Sequence, residues 1–155
     1  MNKCWKIAVI GSGPAGFYAA GELFRQKSWE IKVDMFELLP TPLGLVRGGV
    51  APDHQKIKSV QKIYTRIAEN ENFRFFGNVE IGRDILKADL LEHYDAVIYS
   101  VGSPADRELG IPGEDLSGSH SATEFVAWYN GHPDFCDYKF DLSARNAFVI
   151  DRKSV

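Results

Sequence analysis

Residues 7–16, Ile-Ala-Val-Ile-Gly-Ser-Gly-Pro-Ala-Gly, determine how this 155-residue chain begins to fold. The four apolar residues are typical of a buried strand, and the glycines that follow have the G-x-G-x-x-G spacing. A strand that enters such a turn and continues as a helix points backbone N–H groups and the positive end of the helix dipole at a phosphate. The segment therefore predicts a nucleotide-binding β-α-β unit with its helix over residues 14–27.

Each glycine of this turn has a separate predicted task. Gly11 permits the turn, Gly13 lets the backbone approach a pyrophosphate, and Gly16 lets the helix pack closely on the strands. A second apolar run over residues 31–37 ends in Glu37, about 20 residues after the last glycine, where a carboxylate can accept the ribose hydroxyls of an adenosine. Because a carboxylate repels a 2′-phosphate, the site predicts FAD or NAD and not NADP.

Composition excludes several classes of protein. The chain is one ordinary domain in length, and its net charge of −3 comes from mixed signs without long runs, so we expect no nucleic-acid partner. No apolar segment of the sequence reaches membrane-spanning length, so we expect no membrane insertion. The two cysteines, Cys4 and Cys136, are isolated, and the histidines lack metal-ligand spacing, so we expect reduced thiols and no metal site. The N-terminus leads straight into the first strand, so we expect the cytoplasm, or the mitochondrial matrix if a leader was removed.

The rest of the chain alternates helix and strand. Residues 38–53 contain three prolines and three glycines, which predicts a long loop, and its apolar residues predict a wall of the cofactor pocket. Helical spacing follows over His54–Glu69, with Asp53 as a possible cap. We expect a strand from Phe73, a helix over residues 87–93 and a second helix over residues 121–130.

A further buried parallel strand is expected over residues 94–102, ending beside the first glycine turn. Gly102 is then a second candidate for close backbone approach to the cofactor. The alternation predicts an α/β fold with a Rossmann-like doubly wound parallel sheet.

Several longer motifs resemble the adrenodoxin reductase family of NADPH–ferredoxin reductases. They lie at residues 40–47, 49–58, 75–79, 94–99, 111–115 and 125–133, and the resemblance runs from about Ile7 to Ile150. It implies an FAD enzyme that accepts hydride from NADPH and passes single electrons to a ferredoxin- or adrenodoxin-like iron–sulfur protein. The flavin supplies the conversion from two electrons to one.

The resemblance also implies roles for individual residues. The positions that match the pyrophosphate turn are Gly11, Gly13, Ala15 and Gly16, and Glu37 matches the ribose acid. Leu45 and Ile81 match residues that touch FAD, although an ordinary sheet residue explains Ile81 equally well. His54 matches a histidine near the flavin, with a proton-relay or positioning role because imidazoles exchange protons near neutral pH; a capping or packing role is the alternative.

The last residues depart from the family pattern. Residues 147–150 resemble the start of a second nucleotide-binding strand, but Asp151 stands where the family has a glycine. We therefore expect an incomplete FAD-binding domain over residues 1–146, with residues 147–155 as the start of a missing NADP-binding domain and a divergent tail. NADPH is then the electron donor only of a complete enzyme. A catalytically silent nucleotide-binding fragment is the alternative, and a complete NAD-dependent dehydrogenase domain is a weaker third.

Overall fold

A single parallel sheet forms the framework of the computed structural model, which describes residues 3–54, 56, 59–103 and 106–150. Its strands are β1 (Cys4–Ile10), β2 (Glu30–Phe36), β3 (Phe73–Phe76) and β4 (Ala96–Tyr99). They lie in the order β3-β2-β1-β4, and every neighbouring pair is parallel. The chain thus adds strands on one side of β1 and then crosses to the other side, which opens a crevice at the carboxyl ends of β1 and β4.

The helices connect these strands. They are α1 (Pro14–Arg25), α2 (Leu45–Gly48), α3 (Gln61–Ala68), α4 (Lys87–His93) and α5 (Ala122–Tyr129), followed by a 3₁₀ turn over Pro133–Phe135. The predicted helix at 87–93 is confirmed, and its first turn is capped by Asp89, whose carboxylate accepts from the N–H of Leu86 at 2.9 Å. α1 ends two residues earlier than predicted because Gln26 adopts an extended conformation.

Apolar residues of β1 alternate between two layers. Ile7 and Val9 face α1 and α3, where Phe17 stacks on Tyr64 with ring centroids 4.8 Å apart. Ala8 and Ile10 face the opposite side and pack with Leu90 of α4. Helices therefore cover both faces of a parallel sheet, which confirms the doubly wound α/β fold.

The helix predicted over residues 54–69 is interrupted in the structure, because Lys56 is helical but residues 59 and 60 form a turn before the next helix. α3 begins at Gln61 with Val60 at its N-cap. The cap predicted at Asp53 stays a prediction, because the residues that follow it lie partly outside the described ranges. Ser59 interrupts the helical periodicity, because its hydroxyl donates to the carbonyl of Lys56 at 2.6 Å and closes a turn. Residues 55, 57 and 58 lie outside the described residues.

Two strand predictions also differ from the structure. The strand expected over residues 94–102 is limited to β4, and it lies at the edge of the sheet, so Tyr99 is 50% exposed instead of buried. Residues 147–150, expected as the start of a strand, form no strand, and Phe148 is 95% exposed. Residues 151–155 lie outside the description.

The loop over residues 38–53 contains the one-turn helix α2, which the prolines and glycines around it did not indicate. Within the described ranges, no helix has the length and apolar character needed to cross a membrane. In the same part of the chain, no three His, Cys, Asp or Glu side chains are grouped as metal ligands.

Candidate nucleotide-binding site

Two glycines of the turn between β1 and α1 have no space for a side chain. Gly11 has a φ of +97°, and a Cβ atom there would lie 2.5 Å from the carbonyl oxygen of Ser100. At Gly16 a Cβ atom would lie 2.2 Å from the carbonyl oxygen of Gly11 and 2.9 Å from Ser100 Oγ. Both positions therefore allow β1, α1 and the end of β4 to meet at distances that a larger residue would prevent.

Gly13 has open space instead. It is the N-cap of α1, and a Cβ atom there would have nothing within 4 Å. In the described part of the chain, the N–H groups of Gly13, Ala15 and Gly16 donate to no protein acceptor. These groups lie at the positive end of a 12-residue helix, so they are suited to an anionic ligand in the open space.

Neighbouring segments hold the carbonyl groups of the same turn. The hydroxyl of Ser100 lies 2.9 Å from the carbonyl oxygen of Ile10 and 3.0 Å from that of Gly11, so its one proton is shared between these two acceptors. From the other side, the N–H of Leu43 donates to the carbonyl of Ser12 at 3.1 Å. The end of β4 and the loop after β2 therefore support the turn before any ligand arrives.

Glu37 directly follows β2, and its carboxylate contacts the glycine turn. Oε2 accepts from the N–H of Ser12 at 2.8 Å and from the Ser12 hydroxyl at 2.5 Å. Among the described residues, Oε1 accepts only from the N–H of Leu39, at 3.2 Å. A carboxylate has about four acceptor positions. The Glu37 carboxylate is therefore held at the site and keeps capacity for a ligand hydroxyl.

The loop over residues 38–53 packs against the turn. A Cβ atom at Gly44 would lie 3.0 Å from the Cα of Gly13, and the preceding residue, Leu43, has a φ of +97°. Val46 of α2 is buried in the core, whereas Leu45 is 67% exposed. An exposed leucine on a loop beside a nucleotide site is available to an apolar part of a ligand.

The remaining predicted site residues are less closely connected with the turn. Gly102 has a φ of +72°, and a Cβ atom there would also meet open space. Ile81 forms an isolated bridge with Ile85 and packs in the apolar layer on the α4 side of the sheet. His54 is exposed, and only its backbone N–H forms a hydrogen bond, to Ala51 at 3.1 Å, among the bonds of the described residues. The roles of these residues stay predictions.

Sequence reasoning missed the side chains of Ser12 and Ser100. Ser12 is fully buried in the structure. The sequence offered one signal for it, a hydroxyl residue between two glycines of a motif that is followed by an acidic residue at Glu37. Ser100 lies at the end of β4, and its position at that sheet edge was predicted, but its hydrogen bonds to a turn 89 residues away were not.

A second polar group lies away from the turn, at Asp34 of β2. Its carboxylate accepts from Arg74 at 2.7 and 2.6 Å and from the Tyr94 hydroxyl at 2.7 Å. Burial alone would raise the pKa of Asp34, but the hydrogen bonds from Arg74 and Tyr94 outweigh burial and hold that pKa below its usual value. The group ties β2 to β3 and to the residue after α4.

Known proteins match both the sequence and the fold, although no protein-family model matches the chain. The chain is 54% identical over 153 residues to NADPH-ferredoxin reductase FprA of Mycobacterium leprae, and this match covers 96% of the chain and 34% of the relative. It is 48% identical over 150 residues to a probable mitochondrial NADPH:adrenodoxin oxidoreductase of Schizosaccharomyces pombe, covering 96% of this chain and 32% of the relative.

Solved structures agree with these relatives. FprA of Mycobacterium tuberculosis in complex with NADPH matches with a TM-score of 0.86 and 52% identity over 91% of this chain and 32% of that chain. A histamine dehydrogenase from Rhizobium matches with a TM-score of 0.57 at 21% identity over 75% of this chain and 17% of that chain, which shows the fold alone. The chain thus spans about a third of the length of these curated relatives, and over that third it is similar in sequence and fold to NADPH-ferredoxin and adrenodoxin reductases, the resemblance that its motifs predicted.

Proposed function

We propose that this chain forms the part of a flavin-dependent NADPH–ferredoxin reductase that holds the ADP portion of FAD. The observation that carries the proposal is the meeting of three N–H donors of the glycine turn with the Glu37 carboxylate at one edge of the sheet. A pyrophosphate needs donors and a ribose needs an acceptor, and both are available beside the same turn. The names of the relatives support the same assignment.

Each group at the turn has a proposed task. The N–H groups of Gly13, Ala15 and Gly16 donate to the pyrophosphate, and the space in front of Gly13 admits it. Glu37 accepts from the adenosine ribose. When bound, FAD supplies the exchange between hydride and single-electron transfer. We propose that exposed Leu45 lies against an apolar part of the cofactor, and that Ile81, Gly102 and His54 contact FAD or hold its surroundings.

The electron donor and acceptor belong to the proposal for the whole protein. The relatives are named for NADPH and for ferredoxin or adrenodoxin, and one solved relative is a complex with NADPH. We propose that NADPH delivers electrons through FAD to an iron–sulfur protein. We also propose the cytoplasm or the mitochondrial matrix as its location, because Cys4 and Cys136 are both free thiols.

Flavin retention tests this function. The chain is mixed with FAD, passed through gel filtration and examined by visible absorption, and NADPH is then added without oxygen. We expect the flavin spectrum to remain with the wild-type chain and to be weakened in Glu37→Gln, which keeps the shape but removes the charge. Glu92→Gln on the exposed side of α4 is the matched control and should retain flavin like the wild type.

The outcomes of this test separate the possibilities. Loss of flavin from the wild-type chain, together with no measurable ADP binding, would refute the proposed site. Flavin that NADPH bleaches would show that this chain alone supports hydride transfer. Bound flavin that NADPH does not reduce would support the cofactor site and would show that this chain alone does not catalyse hydride transfer.

A further inference from the structure

We infer that Ser12 is a positioning residue whose hydroxyl fixes the Glu37 carboxylate in the orientation that receives the nucleotide ribose. The inference rests on the proposed function, since it concerns the same nucleotide site. It assigns to the second residue of the glycine motif a task that the glycines themselves do not perform.

The contact geometry supports this assignment. Ser12 donates twice to the same oxygen of Glu37, from its N–H at 2.8 Å and from its hydroxyl at 2.5 Å. A hydrogen bond between a hydroxyl and a carboxylate is charge-assisted and short bonds of this kind are strong. Within the described ranges, the other oxygen, Oε1, has only the longer contact of 3.2 Å to the Leu39 N–H. Oε2 is thus the anchored oxygen, and Oε1 is the one with more freedom to accept from a ligand.

Burial makes the Ser12 hydroxyl a dedicated donor. Ser12 has 0% exposure, so water does not compete for its hydroxyl as it would at the surface. Glu37 is only half-buried and has a long side chain with several rotamers. Without the hydroxyl, one backbone N–H would remain on Oε2, and the carboxylate would have to be ordered when the nucleotide binds. Such ordering weakens binding.

A purely structural role for the hydroxyl makes a different prediction. If the Ser12 hydroxyl only stabilised the turn, its removal would lower the affinity for all nucleotides equally. If the hydroxyl positions Glu37, its removal should lower most strongly the affinity for nucleotides that have the ribose hydroxyls, because only these nucleotides contact the carboxylate. Selectivity for ribose hydroxyls is therefore the decisive measurement.

We would measure binding of ADP, 2′-deoxy-ADP and 3′-deoxy-ADP to the full chain by isothermal titration calorimetry. For Ser12→Ala we expect ADP affinity to fall about 10-fold, as for loss of a hydrogen bond to a charged group. The penalty for a missing ribose hydroxyl should decrease from about 10-fold in the wild type to about 3-fold in the variant. The Ser12→Ala/Glu37→Gln double variant should bind like Glu37→Gln alone, since Ser12 acts through Glu37.

Two further variants control this experiment. Ser12→Gly removes the same hydroxyl, and neither glycine nor alanine is larger than serine, so neither brings a clash to the buried position. Ser119→Ala, at an exposed turn, should bind all three nucleotides like the wild type. Thermal unfolding of every variant reports any loss of folded protein.

The possible failures are distinguishable. If the wild-type chain binds no ADP, the proposed function is overturned and the inference with it. If the wild type prefers ADP to the deoxy nucleotides and both Ser12 variants keep the full preference, only the inference is overturned.

Discussion

Replacing Gly16 by alanine should destabilise the fold through a steric conflict at the glycine turn. The new Cβ would lie 2.2 Å from the Gly11 carbonyl oxygen, although real Cβ contacts are essentially never under 3.0 Å. The atom that must move is backbone, and the Ser100 hydroxyl holds that carbonyl at 3.0 Å. We therefore take the upper part of the cost of overpacking, about 3 kcal/mol.

Alanine also brings a favourable term, since it is a better helix former than glycine by about 1 kcal/mol. The expected net loss is about 2 kcal/mol of the free energy of unfolding. For a domain of this size, that loss lowers the melting temperature by roughly 4–8 °C. Urea unfolding followed by tryptophan fluorescence and circular dichroism measures the loss directly.

Gly13→Ala is the matched comparison for this variant. A Cβ atom at Gly13 meets no protein atom within 4 Å, and the residue has a φ of −73°, so alanine fits the backbone. Alanine is a poorer N-cap than glycine, and we expect a stability loss of no more than about 1 kcal/mol. The added methyl group occupies the proposed phosphate space, so ADP affinity should fall at least about 10-fold.

The two variants should therefore separate stability from binding. An unfolding midpoint for Gly16→Ala equal to that of the wild type would refute the close-packing argument. Unchanged ADP affinity in Gly13→Ala would show that the pyrophosphate does not lie in front of that residue.

Three other perturbations follow from the described contacts. Arg74→Ala removes two hydrogen bonds from buried Asp34 and should lower the free energy of unfolding by about 2 kcal/mol, measured in urea. Arg83→Ala, in an exposed ion pair, should lower it by less than about 1 kcal/mol. Equal losses for the two variants would contradict this role of Asp34. Ser100→Ala should cost about 1 kcal/mol in the same assay and reduce ADP affinity, because the turn loses a support; unchanged values for both would contradict that role. Burial and the neighbouring Tyr18 raise the pKa of Tyr64 to about 12, so the folded state favours its neutral form, and wild-type stability should decline from about pH 10 through pH 12. Tyr64→Phe should show a weaker decline by circular dichroism, and an unchanged decline would assign it to other groups.

The sequence was sufficient for the features that depend on local pattern. The buried runs of β1 and β2, the glycine turn between them and the helix at 87–93 follow from residue periodicity and from backbone limits that act within a few residues. The parallel arrangement and the helices on both faces also follow, because strands separated by helices pair in parallel. The candidate site was predictable to this extent: the turn and Glu37 lie together.

The rest depends on contacts between distant parts of the chain. Ser12 and Glu37 are 25 residues apart, and no local pattern indicates that the serine donates twice to one carboxylate oxygen. The start of α3 was missed because the apolar spacing continues across the turn at Ser59. The exposure of Tyr99 was missed because apolar composition does not distinguish a central strand from an edge strand.

The hydrogen bonds of the glycine turn have a consequence for the kind of ligand that it can select. Its carbonyl oxygens are directed into bonds with Ser100 and Leu43, while the N–H groups of Gly13, Ala15 and Gly16 have no acceptor in the described part of the chain. The turn is thus chemically one-sided, and it distinguishes an anion from a cation by peptide groups that do not titrate. Acidification should therefore weaken nucleotide binding by protonating the phosphate of the ligand, while the turn itself keeps its preference at any pH at which the chain is folded.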